Sequence, residues 1–182
     1  MPKSKYFIAI IPPEEVLSAT EKIKDEFAIR FRSHKARNAP AHITIHMPFE
    51  YRDDHIERIF EGLIKKCLKI NSFEIELENY DCFPPRVIFV NVKENALLRD
   101  FHYQINDYLR KHFHLLSPDR KDGGFHPHLT VAFRDIKKDA FYQAWNEFQY
   151  RKFYRKFECN KLSLLKHNGK NWEVLKEFPL FQ

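Results

Sequence analysis

Apolar residues recur along the chain with two different periods, and the changes from one to the other predict the order of strands and helices. Residues 6–11 form a short, β-rich apolar run that stops at Pro12-Pro13, which is typical of a buried strand. A helix is predicted next, since Pro13 suits a helix start and apolar residues follow at helical spacing: Val16, Ile23, Phe27 and Phe31. The remaining pattern predicts strands at 43–49, 73–80, 86–92, 128–133, 153–166 and 172–178, and helices at 53–68, 95–112 and 138–148.

The predicted elements recur in a similar order in the two halves of the chain. Each half holds at least one helix and one strand that bears a His-x-Thr tripeptide, which suggests a diverged internal duplication. This order predicts an α+β fold whose two mostly antiparallel sheets face each other across a cleft, within one domain that covers residues 1–182. The polar stretch 117–124 is the best candidate for a mobile loop.

Composition favours an anionic partner without identifying one. Lys and Arg number 31 against 25 Asp and Glu, giving a net charge of +6 and a pI of about 9.1, which suits a nucleotide or RNA. The basic residues are spread along the whole chain, so a solvated surface explains them equally well. A hydrophobic content of 43% with four Gly excludes a disordered or low-complexity chain.

The cysteines and the lengths of the apolar stretches predict where in the cell the protein is found. The three cysteines, Cys67, Cys82 and Cys159, lack the spacing of a zinc site and are typical of reduced thiols. The apolar run near the N-terminus is too short for a secretory signal, and no stretch approaches the roughly 20 apolar residues that span a bilayer. We therefore expect a cytoplasmic monomer with no membrane contact.

The candidate chemistry lies in two tripeptides, each at the start of an apolar strand. They are His42-Ile43-Thr44 and His128-Leu129-Thr130. Because side chains alternate between the faces of a strand, His42 and Thr44 should share one face while the aliphatic residues face the core. One such pair occurs by chance on many exposed strands, but a second pair in the other half of the chain is much harder to dismiss.

This combination suits phosphodiester chemistry. Histidine has an ordinary pKa of about 6.5, so near neutral pH one imidazole can act as a base and the other as an acid. A threonine hydroxyl on the same face can donate a hydrogen bond to a phosphate oxygen as negative charge builds there. The residues predict that His42 and His128 form the catalytic pair and that Thr44 and Thr130 bind the phosphate.

The chain resembles the two-histidine (2H) phosphoesterase superfamily, in the branch of RNA 2′,3′-cyclic phosphodiesterases, also called 2′-5′ RNA ligases. The resemblance is carried by four segments: YFIAIIPP, AHITIHMPF, YDCFPPRVIFVNV and HPHLTVAF. It implies a bilobal, pseudo-twofold fold with the helices outside, no metal or other cofactor, and opening of a 2′,3′-cyclic phosphate on a nucleotide or RNA end to a 2′-phosphate. It also implies that His42 protonates the leaving oxygen and that His128 activates water.

Two further histidines are expected beside the motifs. Strand parity places His46 and His126 on the active face, where they would tune the catalytic imidazoles, touch substrate or merely line the edge of the cleft. Members of the wider superfamily also act on nucleotide cyclic phosphates, ADP-ribose cyclic phosphate and 2′-5′ oligonucleotides, so the resemblance supports the superfamily more strongly than this branch.

Other residues near the motifs have simpler explanations. The ten histidines do not show a familiar metal-ligand spacing, so no metal site is predicted. Core packing or solvent exposure accounts for the nearby rings and guanidinium groups, although each could contact a base or a phosphate: Phe49, Phe83, Phe133, Arg86 and Arg134. Two alternatives to hydrolysis stay open, a non-catalytic RNA-binding module and ligation in the reverse direction.

Overall fold

A computed structural model describes residues 2–117 and 124–181 of the chain. The strands are β1 (Lys3–Ile10), β2 (Ile43–Arg52), β3 (Phe73–Phe83), β4 (Val87–Val92), β5 (His128–Ala132), β6 (Tyr154–Cys159), β7 (Lys161–His167) and β8 (Trp172–Pro179). The helices are α1 (Glu14–Phe31), α2 (Ile56–Cys67), α3 (Ala96–Phe113) and α4 (Lys138–Phe148). Most of the predicted loop 117–124 lies outside the described residues. No described helix is long and apolar enough to cross a membrane.

The described strands form a single curled sheet of eight strands in the order β6-β3-β4-β5-β2-β1-β7-β8, and neighbouring strands run antiparallel. The order is symmetric about the β5–β2 junction, because β4 and β1 hold equivalent places on its two sides, as do β3 and β7. The predicted α+β class is confirmed, and the two expected sheets are the four-stranded halves of this one sheet.

One predicted strand is wrong. The stretch 153–166 is two strands, β6 and β7, which are separated at Asn160. β6 pairs with β3 in one half of the sheet, whereas β7 pairs with β1 in the other half. A continuous apolar pattern carries no information about which neighbour each part will pair with, so the sequence did not reveal the change of partner.

The helices cross between the halves of the sheet. α1 follows β1 but packs on β5, whereas α3 follows β4 but packs on β2. Asn95 caps the N-terminus of α3, and its side-chain oxygen accepts a hydrogen bond from the Leu98 backbone N–H at 3.1 Å. Each central strand is therefore supported by a helix that follows a strand of the other half, which ties the two halves into one core.

Strand β1, which lies beside β2, is covered on both faces, and this explains its unbroken apolar run. Tyr6, Ile8 and Ile10 face the main core with the helices. Phe7 and Ala9 point to the opposite face, where they pack in a small second cluster with Leu165. The candidate site lies on this second face, which we call the site face.

Candidate functional site

The two tripeptides meet at the centre of the sheet. β2 and β5 are joined through the pair Ile43 and Leu129, the middle residues of the two motifs. Both middle residues are fully buried in the main core. Because side chains alternate along a strand, the residues flanking this pair lie on the site face, with His42 across from Thr130 and Thr44 across from His128. The structure thus brings together the four residues predicted from the sequence.

The neighbouring strands confirm which face these residues use. Thr44 pairs with Ala9 of β1, and Thr130 pairs with Phe89 of β4. Neither Ala9 nor Phe89 belongs to the main core beneath the helices. Both threonines are half-buried on this face.

The prediction that His46 shares the face of His42 is wrong. The register of β2 against β1 shifts just after Thr44, so that His46 pairs with Ile8 of the main core. The His46 ring is 1% exposed and packs at a right angle to Phe49. A β-bulge inserts one extra residue into a strand and thereby reverses the alternation beyond it, so parity could not place this histidine.

A matching irregularity follows the second motif. The register of β5 against β4 shifts just after Thr130, and Ala132 then pairs with Ile88 of the main core. Each His-x-Thr tripeptide therefore ends at a bulge, and His46 and Ala132 occupy equivalent buried positions. Bulges are common beside functional sites because they re-aim side chains.

Both catalytic candidates are held by the same hydrogen bond. The Nδ1 of His42 lies 2.7 Å from the carbonyl oxygen of Pro40, and the Nδ1 of His128 lies 2.8 Å from that of His126. A carbonyl oxygen only accepts, so in each ring Nδ1 carries the proton. This assignment leaves Nε2 of each neutral imidazole as the nitrogen that can accept a proton from a reactant.

Aromatic rings pack against each imidazole in nearly the same way. The centroids of Phe7 and His42 lie 4.8 Å apart, and those of Phe89 and His128 lie 4.7 Å apart, with interplanar angles of 49° and 46°. Trp172 meets Phe7 edge-on at 4.7 Å. Sequence reasoning missed these rings, because Phe7 and Phe89 lie within apolar strands and Trp172 opens the mixed strand β8, and none of the three carries a polar signal.

The surroundings lower the pKa of both imidazoles. Burial lowers the pKa of His42 to about 4, against the hydrogen bond to Pro40, and the positive charge of Lys24 and interaction with His128 lower it further. Burial likewise lowers the pKa of His128, against the hydrogen bond to the His126 carbonyl, and electrostatic interaction with the His126 ring lowers it further. Both rings are therefore mainly neutral at pH 7 in the ligand-free protein.

The remaining candidates fall into two groups. His126 is exposed and lies 5.3 Å from the Phe83 ring and 5.6 Å from the Phe89 ring, on the same side as His128, as predicted. Phe83 also meets His128 at 5.4 Å and is 42% exposed. Away from this cluster, Phe49 packs on Tyr6 and His46, and the Arg134 guanidinium lies over Phe133.

Across residues 2–117 and 124–181, no three His, Cys, Asp or Glu side chains cluster as metal ligands would.

A curled antiparallel sheet that presents two His-x-Thr pairs on one face defines the class of two-histidine proteins. The sequence profile of the 2′-5′ RNA ligase superfamily matches residues 12–171, and the chain belongs to this superfamily.

Similar proteins cover nearly the whole chain. A "Putative phosphoesterase" of Geobacillus sp. (strain WCH70) is 25% identical over 178 residues, covering 96% of this chain and 95% of that protein. A namesake from Oceanobacillus iheyensis is 23% identical and covers 97% of this chain and 98% of its own length.

Among solved structures, E. coli LigT complexed with 3′-AMP superposes with a TM-score of 0.72 at 17% identity over 100% of both chains. The protein TT0787 of Thermus thermophilus gives 0.68 at 20% identity over 97% of both chains. These two superpositions show that the chain shares its fold with both proteins.

Proposed function

We propose that this protein is a metal-independent phosphodiesterase that opens 2′,3′-cyclic phosphates of nucleotides or RNA ends to 2′-phosphates. The observation that carries the proposal is the crosswise arrangement of two His–Thr pairs on neighbouring strands, with each imidazole fixed through Nδ1. A site that only binds RNA does not require two oriented, titratable rings beside two hydroxyls.

The proposed reaction uses each side chain once. Nε2 of His128 takes a proton from water as the water oxygen attacks phosphorus, and Nε2 of protonated His42 gives a proton to O3′ as the P–O3′ bond breaks. The products are a 2′-phosphate and a 3′-hydroxyl. Thr44 and Thr130 donate hydrogen bonds to the non-bridging oxygens, where charge accumulates.

The lowered imidazole pKa values of His42 and His128 describe the ligand-free protein, and bound substrate changes them in the direction that this scheme needs. A cyclic phosphate brings a negative charge to within a few ångströms of both rings, and a nearby opposite charge raises the pKa of an imidazole. Binding of the substrate therefore favours the protonated form of His42, which takes its proton from solvent. The lowered pKa of His128 in the ligand-free protein favours its neutral form, which can accept a proton.

The surroundings of the site support a nucleotide as substrate. Phe83 is 42% exposed beside His128, and aromatic rings at such positions stack on bases. LigT, which shares the fold, has been crystallised with 3′-AMP, ATP and NADP+. All four proposed site residues come from one chain, so we propose that it acts as a monomer and as a single bilobal domain.

The test is hydrolysis by EDTA-treated protein of a panel of nucleoside 2′,3′-cyclic phosphates and RNA ends, with the product identified by ³¹P NMR. We expect a 2′-phosphate, and we expect His42→Ala and His128→Ala to abolish turnover without unfolding the protein. His55→Ala is the matched control, because His55 is a half-buried histidine at the start of α2 that belongs to neither motif. Undiminished hydrolysis by either catalytic variant would defeat the proposal.

A second substrate assigns the two roles. A nitrophenyl phosphodiester has a leaving group that departs without protonation, so loss of the acid matters less for it than loss of the base. We expect His42→Ala to recover much of its activity on this substrate and His128→Ala to remain inactive. The opposite pattern would exchange the two roles while leaving the pair intact.

A further inference from the structure

We propose that Lys24 and Glu21 of α1 are positioning residues for His42, because together they fix the residues whose carbonyl orients the imidazole. This inference rests on the proposed function in so far as it assigns His42 a part in the reaction. The contacts themselves are independent of that role.

A continuous set of hydrogen bonds links α1 to the ring. Lys24 Nζ donates to the carbonyl oxygen of Ala39 at 2.9 Å and to Glu21 Oε1 at 2.9 Å. The same Glu21 oxygen accepts from the backbone N–H of Ala41 at 2.8 Å. Pro40 lies between these two anchored residues, and its carbonyl oxygen binds His42 Nδ1 at 2.7 Å. Residues 39–41 are therefore held on both sides of the group that sets the ring orientation.

The location of Lys24 is unusual for a residue that only stabilises a helix. It is 1% exposed and lies among the buried residues of α1, whereas its partner Glu21 is 37% exposed at the side chain. A buried ammonium is costly unless it is paired and hydrogen-bonded, and an apolar side chain would fill the same space at lower cost. Burial lowers the pKa of Lys24 and the Glu21 carboxylate opposes this shift.

The second half of the sheet contains a related contact. Arg99 of α3 donates from Nη1 to the carbonyl oxygen of Phe125 at 3.1 Å, and Phe125 precedes His128 by the same three residues that separate Ala39 from His42. Arg99 pairs with Glu94, as Lys24 does with Glu21. Arg99 is largely exposed, however, whereas Lys24 is buried, and only Lys24 is close enough to lower the pKa of its histidine.

The test compares Lys24→Met with wild type by following the imidazole ¹⁵N signals of His42 and His128 against pH, without substrate. Removal of the charge should raise the pKa of His42 above its wild-type value, by only part of the total shift because burial still lowers it, and should weaken its Nδ1–H tautomer, while His128 is unchanged. With substrate, kcat should fall by up to about 100-fold at nearly constant KM, because misplacement of a reacting group affects the chemical step. Arg99→Met is the matched control and should leave His42 unchanged.

A folded Lys24→Met protein whose His42 keeps the wild-type pKa and tautomer would overturn the proposal. If that variant does not fold, Glu21 provides a second test. Glu21→Ala removes the acceptor for the Ala41 N–H and should disturb the His42 tautomer, whereas Glu21→Gln keeps an oxygen there and should not. Identical His42 spectra in both would also overturn it. These spectra need no substrate, so wild-type protein that hydrolyses nothing would refute the proposed function without deciding this inference.

Discussion

Varying the pH should move the maximum of kcat/KM well below neutrality. This parameter reports ionisations of the ligand-free protein, in which the pKa of His42 is about 4 and that of His128 lies below its ordinary 6.5. A reaction that needs one neutral and one protonated imidazole gives a bell-shaped profile centred midway between the two values. The centre should therefore lie below about pH 5.5, whichever ring acts as the acid.

The profile of kcat should differ from that of kcat/KM. It reports the substrate complex, in which the phosphate charge raises both pKa values, so its maximum should lie at higher pH. The assay is initial-rate hydrolysis of a nucleoside 2′,3′-cyclic phosphate from pH 4 to 9 at several substrate concentrations. The phosphodiester group of the substrate stays singly charged over this range, so its ionisation does not cause the shift between the two maxima.

Acid unfolding must be separated from titration of the site. The pKa of His42 is lower in the folded than in the unfolded protein, so folding releases a proton below pH 6.5. The neutral, buried His42 therefore contributes fully to the stability of the folded protein above pH 6.5, and this contribution is lost as the pH falls toward 4. Circular dichroism at each pH provides the control for unfolding. A kcat/KM maximum above pH 7 in folded protein, or a flat profile, would refute the assignment of the pair.

Three substitutions test other parts of the structure. Thr44→Val should lower kcat, through a loss of about 2–4 kcal/mol of transition-state stabilisation, as when an oxyanion donor is removed, and Thr44→Ser should restore most of the rate. Equal kcat values for Thr44→Val and wild type would show that the hydroxyl takes no part in the reaction. His46→Ala should lower the free energy of unfolding, measured by heat or urea, by about 2 kcal/mol and leave kcat unchanged, since His46 lies in the core. A large loss of kcat would show that His46 contributes to the site. Asp135→Ala should cost about 1–3 kcal/mol of unfolding free energy, because its carboxylate accepts hydrogen bonds from three groups in residues 33–35; an unchanged midpoint would show that these bonds contribute little.

The sequence by itself predicted most of the elements and the four central residues of the candidate site. Its apolar periods predicted the helices and most strands, and the repeated His-x-Thr tripeptide singled out His42, Thr44, His128 and Thr130. Residues close together on one strand have a fixed geometric relation, so each His–Thr pair could be placed on one face before the fold was known.

The positions beyond a bulge could not be predicted in the same way. His46 is two residues from Thr44, yet it lies on the other face because of one extra residue in β2. Bulges depend on how two strands pair, and the partner strand β1 is more than thirty residues away in the chain. The division of residues 153–166 into β6 and β7 depends on strand pairing in the same manner.

Only the tertiary structure decided what surrounds the imidazoles. Phe7, Phe89, Lys24 and Trp172 belong to four different elements and carry no local signal of a site. Burial beside Phe7 and Phe89 lowers the pKa of His42 and His128, and the charge of Lys24 lowers that of His42 further, so these shifts depend on what lies close in space. Local sequence fixes the relation between neighbouring side chains, whereas the electrostatic surroundings of a group are fixed only when distant segments have packed around it.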